Sequence, residues 1–143
     1  MRAHESVLVF YKKQPTYNPI KTFGHKRKVA KTEYVKENTG DSVYGKETRN
    51  TDYDSTERYP LSVQVFPNAD LSKVLHPTQK PVELFEYLIR TYTNEGDLIL
   101  DNCAGSGTTG IACLNSNRDF ILIEQDKKYF DIINDRIVKY SDL

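Results

Sequence analysis

Residues 98 to 110, in the second half of the chain, have the sequence LILDNCAGSGTTG. The three apolar residues at its start form a short run of the kind that builds a buried strand. Gly105 and Gly107 follow closely, and glycines let a backbone turn sharply and approach a ligand without a Cβ in the way. A helix is expected around residues 109–114. The stretch therefore predicts a strand, a tight turn and a helix.

The segments on either side continue this alternation. Pro81 suits the first turn of a helix, and apolar residues at spacings of three and four predict a helix that ends near residues 94–96. Residues 120–123 predict a second buried strand, and apolar positions from Tyr129 to Tyr140 predict a last helix. Strands that alternate with helices are typical of a parallel sheet with helical crossovers. The sequence therefore predicts an α/β fold.

The first part of the chain is less regular. Residues 6–11 form an apolar, β-rich run that we interpret as a buried strand, and residues 61–66 alternate well enough for a short strand. From residue 12 to about residue 59 neither a helical nor a strand period is visible. We interpret this segment as a loop-like insert, because a long stretch without regular structure in a compact domain is usually a functional loop or a disordered one.

Composition excludes several classes of protein. The 143 residues correspond to one domain at most, and the longest uncharged run, residues 102–117, is too polar to cross a bilayer. No signal-peptide pattern follows Met1, which predicts a cytoplasmic protein. Cys103 and Cys113 cannot form a disulfide framework, and we expect both thiols to be buried.

Charge is unevenly distributed along a chain whose 20 Lys and Arg balance its 20 Asp and Glu. Residues 1–40 contain nine basic and three acidic side chains, residues 41–75 contain four and six, and residues 76–143 contain seven and eleven. Such segregation predicts two surfaces with different partners.

The loop after the strand at residues 98–100 has the chemistry of a nucleoside site. Ligands of open α/β sheets bind at the carboxyl ends of the strands. Glu124 follows the next strand, 19 residues after Gly105, where an acid can accept hydrogen bonds from ribose hydroxyls. Gly105, Gly107 and Gly110 also satisfy a dinucleotide-binding pattern, so the glycines alone leave the ligand open.

Electrostatics favours a cationic nucleoside over a dinucleotide. Asp101 ends the strand directly behind the loop, and two unit charges about 4 Å apart interact by roughly 4 kcal/mol at an effective dielectric constant near 20. A carboxylate there opposes a pyrophosphate and attracts the sulfonium and ammonium groups of S-adenosylmethionine. The alternative, that Asp101 caps the helix or orders the loop, stays open.

Three segments together resemble a known family. Residues 76–81 (HPTQKP), the loop at 101–110 and the segment EQD at 124–126 closely resemble the C-terminal part of DNA amino-methyltransferases, which methylate adenine N6 or cytosine N4. Their order is that of the permuted β class, in which the cofactor segment follows the catalytic segment and the target-recognition region. The resemblance covers residues 76–140 well, and residues 4–19 are similar to the strand that leaves the catalytic half.

The resemblance implies a partial Rossmann-like methyltransferase fold with parallel strands and an irregular basic insert. It divides the chain into a strand of the catalytic half (1–11), a loop-rich target-recognition region (12–75) and an S-adenosylmethionine-binding α/β segment (76–143).

The resemblance also implies a role for individual residues. Gly105 and Gly107 match the glycines along the methionine portion of the cofactor, Glu124 matches the ribose-binding acid, and Gln125 lies beside the adenine. Lys80, near the methionine end, can meet the cofactor carboxylate. The implied cofactor-binding residues are Thr78, Lys80, Asp101, Cys103, Gly105, Ser106, Gly107, Thr108, Glu124 and Gln125.

The family's catalytic tetrapeptide is not in this sequence. It consists of Asp, Asn or Ser, then Pro-Pro and an aromatic residue, whereas the six prolines here are all isolated. In the permuted order it lies upstream, on an N-terminal half. We therefore expect the chain to be the C-terminal segment of a methyltransferase, inactive alone and partnered by that half, with adenine N6 favoured over cytosine N4. A noncatalytic remnant that binds cofactor or DNA, and a dinucleotide-binding domain, are the alternatives.

The basic insert corresponds in position to target recognition in the resembled enzymes. Lys and Arg side chains contact phosphates, while Asn, Thr and Tyr can contact base edges. We expect double-stranded DNA as a partner; the alternative is a solvated loop that binds nothing specific. The predicted DNA-binding residues are Lys12, Lys13, Lys21, Lys26, Arg27 and Lys28.

Overall fold

The computed structural model describes residues 4–36, 47–67 and 75–141, and their side chains except those of 32–36, 47–51 and 141. The chain forms two compact units. One, here called the α/β unit, consists of Met1–Ile20 and Val63–Leu143, and the other, the hairpin unit, is Lys21–Ser62. Among the described helices, none is long and apolar enough to span a membrane.

The hairpin unit contains two antiparallel strands, β1 (Lys28–Lys36) and β2 (Glu47–Ser55). A single bridge pairs Thr22 with Arg58 outside the two strands. The guanidinium of Arg58 donates hydrogen bonds to the carbonyl oxygens of Lys26 at 2.6 Å and Ser55 at 3.2 Å. Arg58 therefore joins the segments that precede β1 and follow β2.

The α/β unit has a regular element order. It runs α1 (Val82–Tyr92), β3 (Leu98–Asp101), α2 (Thr108–Asn115), β4 (Asp119–Leu122) and α3 (Lys127–Ser141). β3 and β4 are parallel neighbours, and α2 is the crossover between them. The carboxyl ends of both strands and the amino end of α2 consequently lie at one edge of the strand pair.

The hydrophobic core lies on one face of the strand pair. Ile89 of α1 and Ala112 and Cys113 of α2 are buried, and Ile99 of β3 and Phe120 of β4 pack against them. These side chains alternate with those of the opposite face because successive residues of a strand point to opposite sides.

The opposite face of the strand pair is apolar but exposed. Leu98, Leu100 and Ile121 have exposed fractions of 61%, 63% and 49%. Parallel sheets are normally buried on both faces. Within the described residues this sheet therefore has one covered face and one uncovered face.

Two glycines allow α2 to lie close to its neighbours. Gly107, just before α2, has a φ of 78°, and a Cβ there would lie 3.0 Å from Cγ1 of Ile133 in α3. A Cβ on Gly110 would lie 2.8 Å from Cδ1 of Leu122. The glycines of the loop motif thus serve the packing of α2 against α3 and β4.

The regular part of the chain agrees with the sequence prediction. The helix predicted after Pro81 is α1, the strands predicted at 98–100 and 120–123 are β3 and β4 within one residue, and the last two predicted helices are α2 and α3. The mixed α/β fold with a parallel strand pair is therefore confirmed.

The first part of the chain departs from the prediction. The strands predicted at residues 6–11 and 61–66 are absent, since neither segment belongs to a described strand pair. The insert predicted to be loop-like contains β1 and β2, whose polar sequences have no apolar alternation to reveal them. Residues 37–46 and 68–74 of the predicted target-recognition region lie outside the described residues.

The prediction for the cysteines is half right. Cys113 is fully buried, and burial raises the pKa of its thiol to about 11. Cys103 is exposed, because it lies in the turn after β3 and not on a packed face, so the expectation of a buried thiol there is wrong.

Gly107→Ala should destabilise the chain more than Gly96→Ala. Both glycines have positive φ, which adds roughly 1–2 kcal/mol for an L-residue, but a Cβ at Gly96 meets nothing within 4 Å. The contact with Ile133 should add about 1–3 kcal/mol at Gly107. Urea denaturation of the two variants measures the difference, and equal losses would contradict this packing.

Candidate cofactor site

The candidate site lies where β3 and β4 end and α2 begins. Residues 102–107 form the turn that joins β3 to α2, and residues 123–126 join β4 to α3. The backbone N–H of Ile123 donates to the carbonyl of Asp101 at 2.8 Å, and the N–H of Ala104 donates to the carbonyl of Ile123 at 3.0 Å. These bonds extend the pairing of the strands into the two loops.

The carboxylate of Asp101 organises the first loop. One oxygen accepts a hydrogen bond from the N–H of Cys103 at 3.0 Å, and the other accepts one from the hydroxyl of Thr109 in α2. Asp101 therefore ties the end of β3 to the first turn of α2. Asp101 therefore orders the loop, which is the alternative given above to its attraction of a cationic cofactor.

The carboxylate of Glu124 joins the two loops. It accepts a hydrogen bond from the N–H of Asp126 at 2.9 Å and one from the N–H of Gly105 at 2.8 Å. These two bonds lower the pKa of Glu124, the bond from Asp126 having the larger effect. Each carboxylate oxygen keeps capacity for a further donor, so Glu124 can still bind a ligand hydroxyl.

A cavity of about 300 Å³ lies beside Glu124. This volume is at the lower end of the range for small-molecule sites. Two of the described lining side chains are acidic, and none of the described ones is a lysine or arginine. The lining residues are His76, Asn102, Cys103, Ile123, Glu124, Gln125, Asp126 and Tyr129.

The hexapeptide at residues 76–81 lies against this cavity. The ring of His76 is 4.3 Å from the ring of Tyr129 in α3, and a Cβ on Gly105 would lie 3.6 Å from the imidazole. Thr78 donates its backbone N–H to Nδ1 of His76 at 3.2 Å, and its hydroxyl lies 3.0 Å from the same nitrogen. The hexapeptide, the glycine turn and α3 thus meet around His76.

Three predicted residues lie outside the cavity lining, two of them with protein partners. The ammonium of Lys80 pairs with the carboxylate of Glu5 at 2.7 Å. Ser106 is buried, and its hydroxyl donates to Oε1 of Gln79 at 2.9 Å. The hydroxyl of Thr108 is buried without a hydrogen-bond partner in the described structure.

The structure brings part of the predicted set together. Cys103, Glu124 and Gln125 line the cavity, and Gly105 binds Glu124. Five lining residues are not in the predicted set: His76, Asn102, Ile123, Asp126 and Tyr129. His76 and Asp126 belong to the quoted segments but have no predicted role there, Ile123 and Tyr129 are predicted only as apolar positions of a strand and a helix, and Asn102 has no signal in the sequence.

The predicted DNA-binding residues divide into two groups. Lys21 pairs with Glu57 at 2.8 Å, which raises the pKa of Lys21. Arg27 donates two hydrogen bonds to Asp54, at 2.7 and 2.5 Å, which lowers the pKa of Asp54. Four predicted residues are exposed and have no ion pair among the described residues: Lys12, Lys13, Lys26 and Lys28.

Comparison with known proteins identifies the family. A sequence model described as DNA methylase, of the N6/N4 type, matches residues 1–135. The chain belongs to the N6/N4 DNA methylase family. This finding confirms the resemblance at family level.

Curated relatives match a short part of this chain. M.HpaI, a type II methyltransferase of Haemophilus parainfluenzae, is 44% identical over 62 residues, which are 43% of this chain and 20% of that protein. M2.DpnII of Streptococcus pneumoniae is 48% identical over 62 residues, 43% of this chain and 23% of that protein. The DNA adenine methyltransferase YhdJ of Escherichia coli is 48% identical over 54 residues, 38% of this chain and 18% of that protein. The matched segment spans about a fifth of the relatives' length.

Solved structures of DNA methyltransferases are also similar to this chain. The M1.HpyAVI–SAM complex matches with a TM-score of 0.48 and 41% identity, over 64% of this chain and 42% of that chain. The cytosine-N4-specific PvuII DNA methyltransferase matches with a TM-score of 0.42 and 22% identity, over 64% of this chain and 49% of that chain.

Acid should open the two loops of the candidate site. Because the pKa of Glu124 is lowered, its stabilising contribution is present above the ordinary pKa of 4.5 and is lost as the pH falls through the lower pKa of the folded state. NMR should show the amide signals of Gly105 and Asp126 titrating together with a midpoint below 4.5. Glu124→Gln should abolish that transition, while Glu95→Gln, at an exposed acid, should keep it. A midpoint at or above 4.5 would contradict the lowered pKa.

Proposed function

We propose that the chain is the cofactor- and DNA-binding segment of an S-adenosylmethionine-dependent DNA methyltransferase that acts on an exocyclic amine. Adenine N6 is the favoured acceptor and cytosine N4 the second. The relative YhdJ, a DNA adenine methyltransferase, supports this preference. Methyl transfer needs the catalytic tetrapeptide, which this sequence lacks, so the segment works with an N-terminal half that carries it.

The charge of the cavity is the observation that carries the cofactor proposal. Glu124 and Asp126 line it without a lysine or arginine among the described lining residues. Both a dinucleotide and S-adenosylmethionine offer ribose hydroxyls to a carboxylate, but only the dinucleotide would bring a pyrophosphate toward these two acids, with no lysine or arginine among the described lining residues to balance it. S-adenosylmethionine has two cationic groups and no phosphate, so its charges fit this lining.

The residues at the cavity have distinct tasks in this proposal. Glu124 accepts hydrogen bonds from the ribose hydroxyls through the free capacity of its oxygens, and Gln125 lies beside the adenine. In this proposal the Gly105 and Gly107 backbones lie along the methionine portion; the absence of a Cβ at Gly105 leaves room beside His76, whereas the absence of one at Gly107 serves the packing of α2 on Ile133. When bound, S-adenosylmethionine would supply the methyl group from its sulfonium, with the neutral thioether S-adenosylhomocysteine as the leaving group.

The remaining predicted residues shape the site or close it. Asp101 and Ser106 hold the loop through Thr109 and Gln79, and Thr108 begins α2 with a buried hydroxyl that has no hydrogen-bond partner among the described residues. Cys103 lines the cavity.

Two residues of the hexapeptide belong to the methionine end of the site. Thr78 orders His76, and Lys80 exchanges its pairing with Glu5 for the cofactor carboxylate. The loss of the pairing with Glu5 costs little free energy, because an exposed ion pair stabilises a protein by about 0–1 kcal/mol.

The proposal places residues 12–75 in target recognition. Lys12, Lys13, Lys26 and Lys28 provide free positive charge for phosphates, while Lys21 and Arg27 must leave acidic partners before they can contact DNA. The site of action is the cytoplasm, where bacterial DNA, the substrate in this proposal, is found.

Calorimetric titration with S-adenosylmethionine tests the cofactor proposal. Glu124→Ala should weaken binding by about 10- to 100-fold, because it removes hydrogen bonds to a charged acceptor. Glu95→Ala removes an exposed acid away from the cavity and should leave the affinity unchanged. Binding of NAD in place of S-adenosylmethionine would establish the dinucleotide alternative instead.

The salt dependence of duplex binding tests the DNA proposal. The Lys26→Ala/Lys28→Ala double variant should weaken binding and reduce the slope of log K against log salt by about 1.8, since each phosphate contact contributes about 0.9. The matched control, Lys127→Ala/Lys139→Ala, makes the same charge change on α3. An equal effect of the two double variants would show that the insert has no special role.

A further inference from the structure

The guanidinium of Arg136, in α3, contacts the glycine turn. Its Nη1 donates a hydrogen bond to the carbonyl oxygen of Ser106 at 2.5 Å and another to the hydroxyl oxygen of the same residue at 3.3 Å. Ser106 lies between Gly105 and Gly107 and is buried. The turn therefore receives a cationic donor from a helix position 30 residues further along the chain.

Arg136 has no acidic partner among the described residues. No described carboxylate forms an ion pair with it, and burial lowers the pKa of its guanidinium. A partly buried charge costs free energy unless hydrogen bonds compensate for the lost water. Because both hydrogen bonds of its guanidinium go to Ser106, the contact with the turn accounts for the placement of this side chain.

The hydroxyl of Ser106 connects this contact to the hexapeptide at residues 76–81. It donates to Oε1 of Gln79 at 2.9 Å, and the same oxygen accepts a hydrogen bond from the backbone N–H of Leu75 at 3.1 Å. A guanidinium can only donate, so the hydroxyl oxygen of Ser106 is an acceptor toward Arg136 and its one proton is directed to Gln79. The hydrogen bonds thus run in one direction from α3 through the turn to the hexapeptide.

Both segments joined by these hydrogen bonds border the candidate site. Gly105 of the turn donates its N–H to Glu124, and the carbonyl of His76, which lines the cavity, accepts the N–H of Gln79 at 3.0 Å. Binding groups keep a productive geometry only when supporting contacts lock them in place. Arg136 is not among the described lining residues, so an effect on a ligand must act through the turn and the hexapeptide.

We propose that Arg136 is a positioning residue for the cofactor, which fixes the carbonyl of Ser106 directly and Gln79 through the Ser106 hydroxyl. The glycine turn and the hexapeptide are then held in one arrangement around the site. The inference rests on the proposed function, which supplies the cofactor. Arginine suits this task because the hydrogens of its guanidinium lie in a fixed plane, whereas the ammonium of lysine is a flexible point charge.

Calorimetric titration of the full chain with S-adenosylmethionine tests the positioning role. Arg136→Gln should weaken binding by about 10-fold, because charged hydrogen bonds to the turn are lost. Arg136→Lys keeps a cationic donor and should recover part of that loss.

Arg90→Gln is the matched control. Arg90 of α1 donates through Nη2 to the carbonyl of Asn115 at 2.7 Å, so it also joins a helix to a backbone oxygen, but at the opposite end of α2 from the glycine turn. Its replacement should change the affinity less than twofold. Equal affinities of Arg136→Gln and Arg90→Gln, or no recovery with Arg136→Lys, would overturn the positioning role.

NMR of the ligand-free chain tests the hydrogen bonds separately. Arg136→Gln should shift the carbonyl carbon signal of Ser106 and the amide signal of Leu75, whereas Arg90→Gln should leave both unchanged. An unchanged Leu75 amide in Arg136→Gln would overturn the connection to the hexapeptide.

Ser106→Ala provides a second variant in case Arg136→Gln does not fold. It removes only the hydroxyl link and should weaken S-adenosylmethionine binding by about threefold, so an unchanged affinity would count against the proposal. If the unsubstituted chain did not bind S-adenosylmethionine while the NMR shifts occurred as expected, the proposed function would be overturned and the positioning role with it, although the hydrogen bonds themselves would be confirmed.

Discussion

The carboxylate of Glu124 holds the candidate site together. It binds the backbone of Gly105 in the glycine turn and the backbone of Asp126 at the start of α3. Backbone donors in loops have no regular partner, and a carboxylate that accepts two of them fixes two loops with one side chain. In the proposed function the same group receives ribose hydroxyls, so the contact that orders the two loops also prepares them for a nucleoside.

The rest of the α/β unit supports this contact. Asp101 fixes the other end of the glycine turn through Cys103 and Thr109, and the close approach at Gly107 presses α2 against α3. Asp101 therefore fixes the two ends of the turn, and Glu124 fixes its middle through Gly105. Only one face of the strand pair is covered among the described residues, which is consistent with a segment that spans about a fifth of the length of its relatives.

The spacing of apolar residues predicted the helices and strands that bury an apolar face. α1, α2 and α3 each present apolar residues to a core, and β3 and β4 are short apolar runs, so local sequence and tertiary packing agree. The sequence did not predict β1 and β2, because both strands are polar and depend on backbone pairing with each other. The strand predicted at residues 6–11 is wrong for the opposite reason. The side chains of this segment have β propensity, but no described strand pairs with it.

For the candidate site, too, local sequence patterns were predictable and contacts between distant residues were not. Glu124 and the glycines could be predicted because a strand end, a turn and an acid recur at fixed spacing. The partners of Lys80 and Arg27 could not, since Glu5 and Asp54 are distant in sequence and are brought near by the fold. The rings of His76 and Tyr129 are in contact beside the cavity. The two residues lie in separate segments, so neither the hexapeptide nor the helical periodicity predicts this contact.

NMR titration of the isotopically labelled chain tests the central claim most directly. Added S-adenosylmethionine should shift the amide signals of Gly105 and Asp126 to saturation and leave that of Gly24 in the hairpin unit unchanged, while NAD should shift none of them. Saturation of the same signals by NAD, or no response of Gly105 and Asp126 to S-adenosylmethionine, would contradict the assignment of this cavity as the cofactor site.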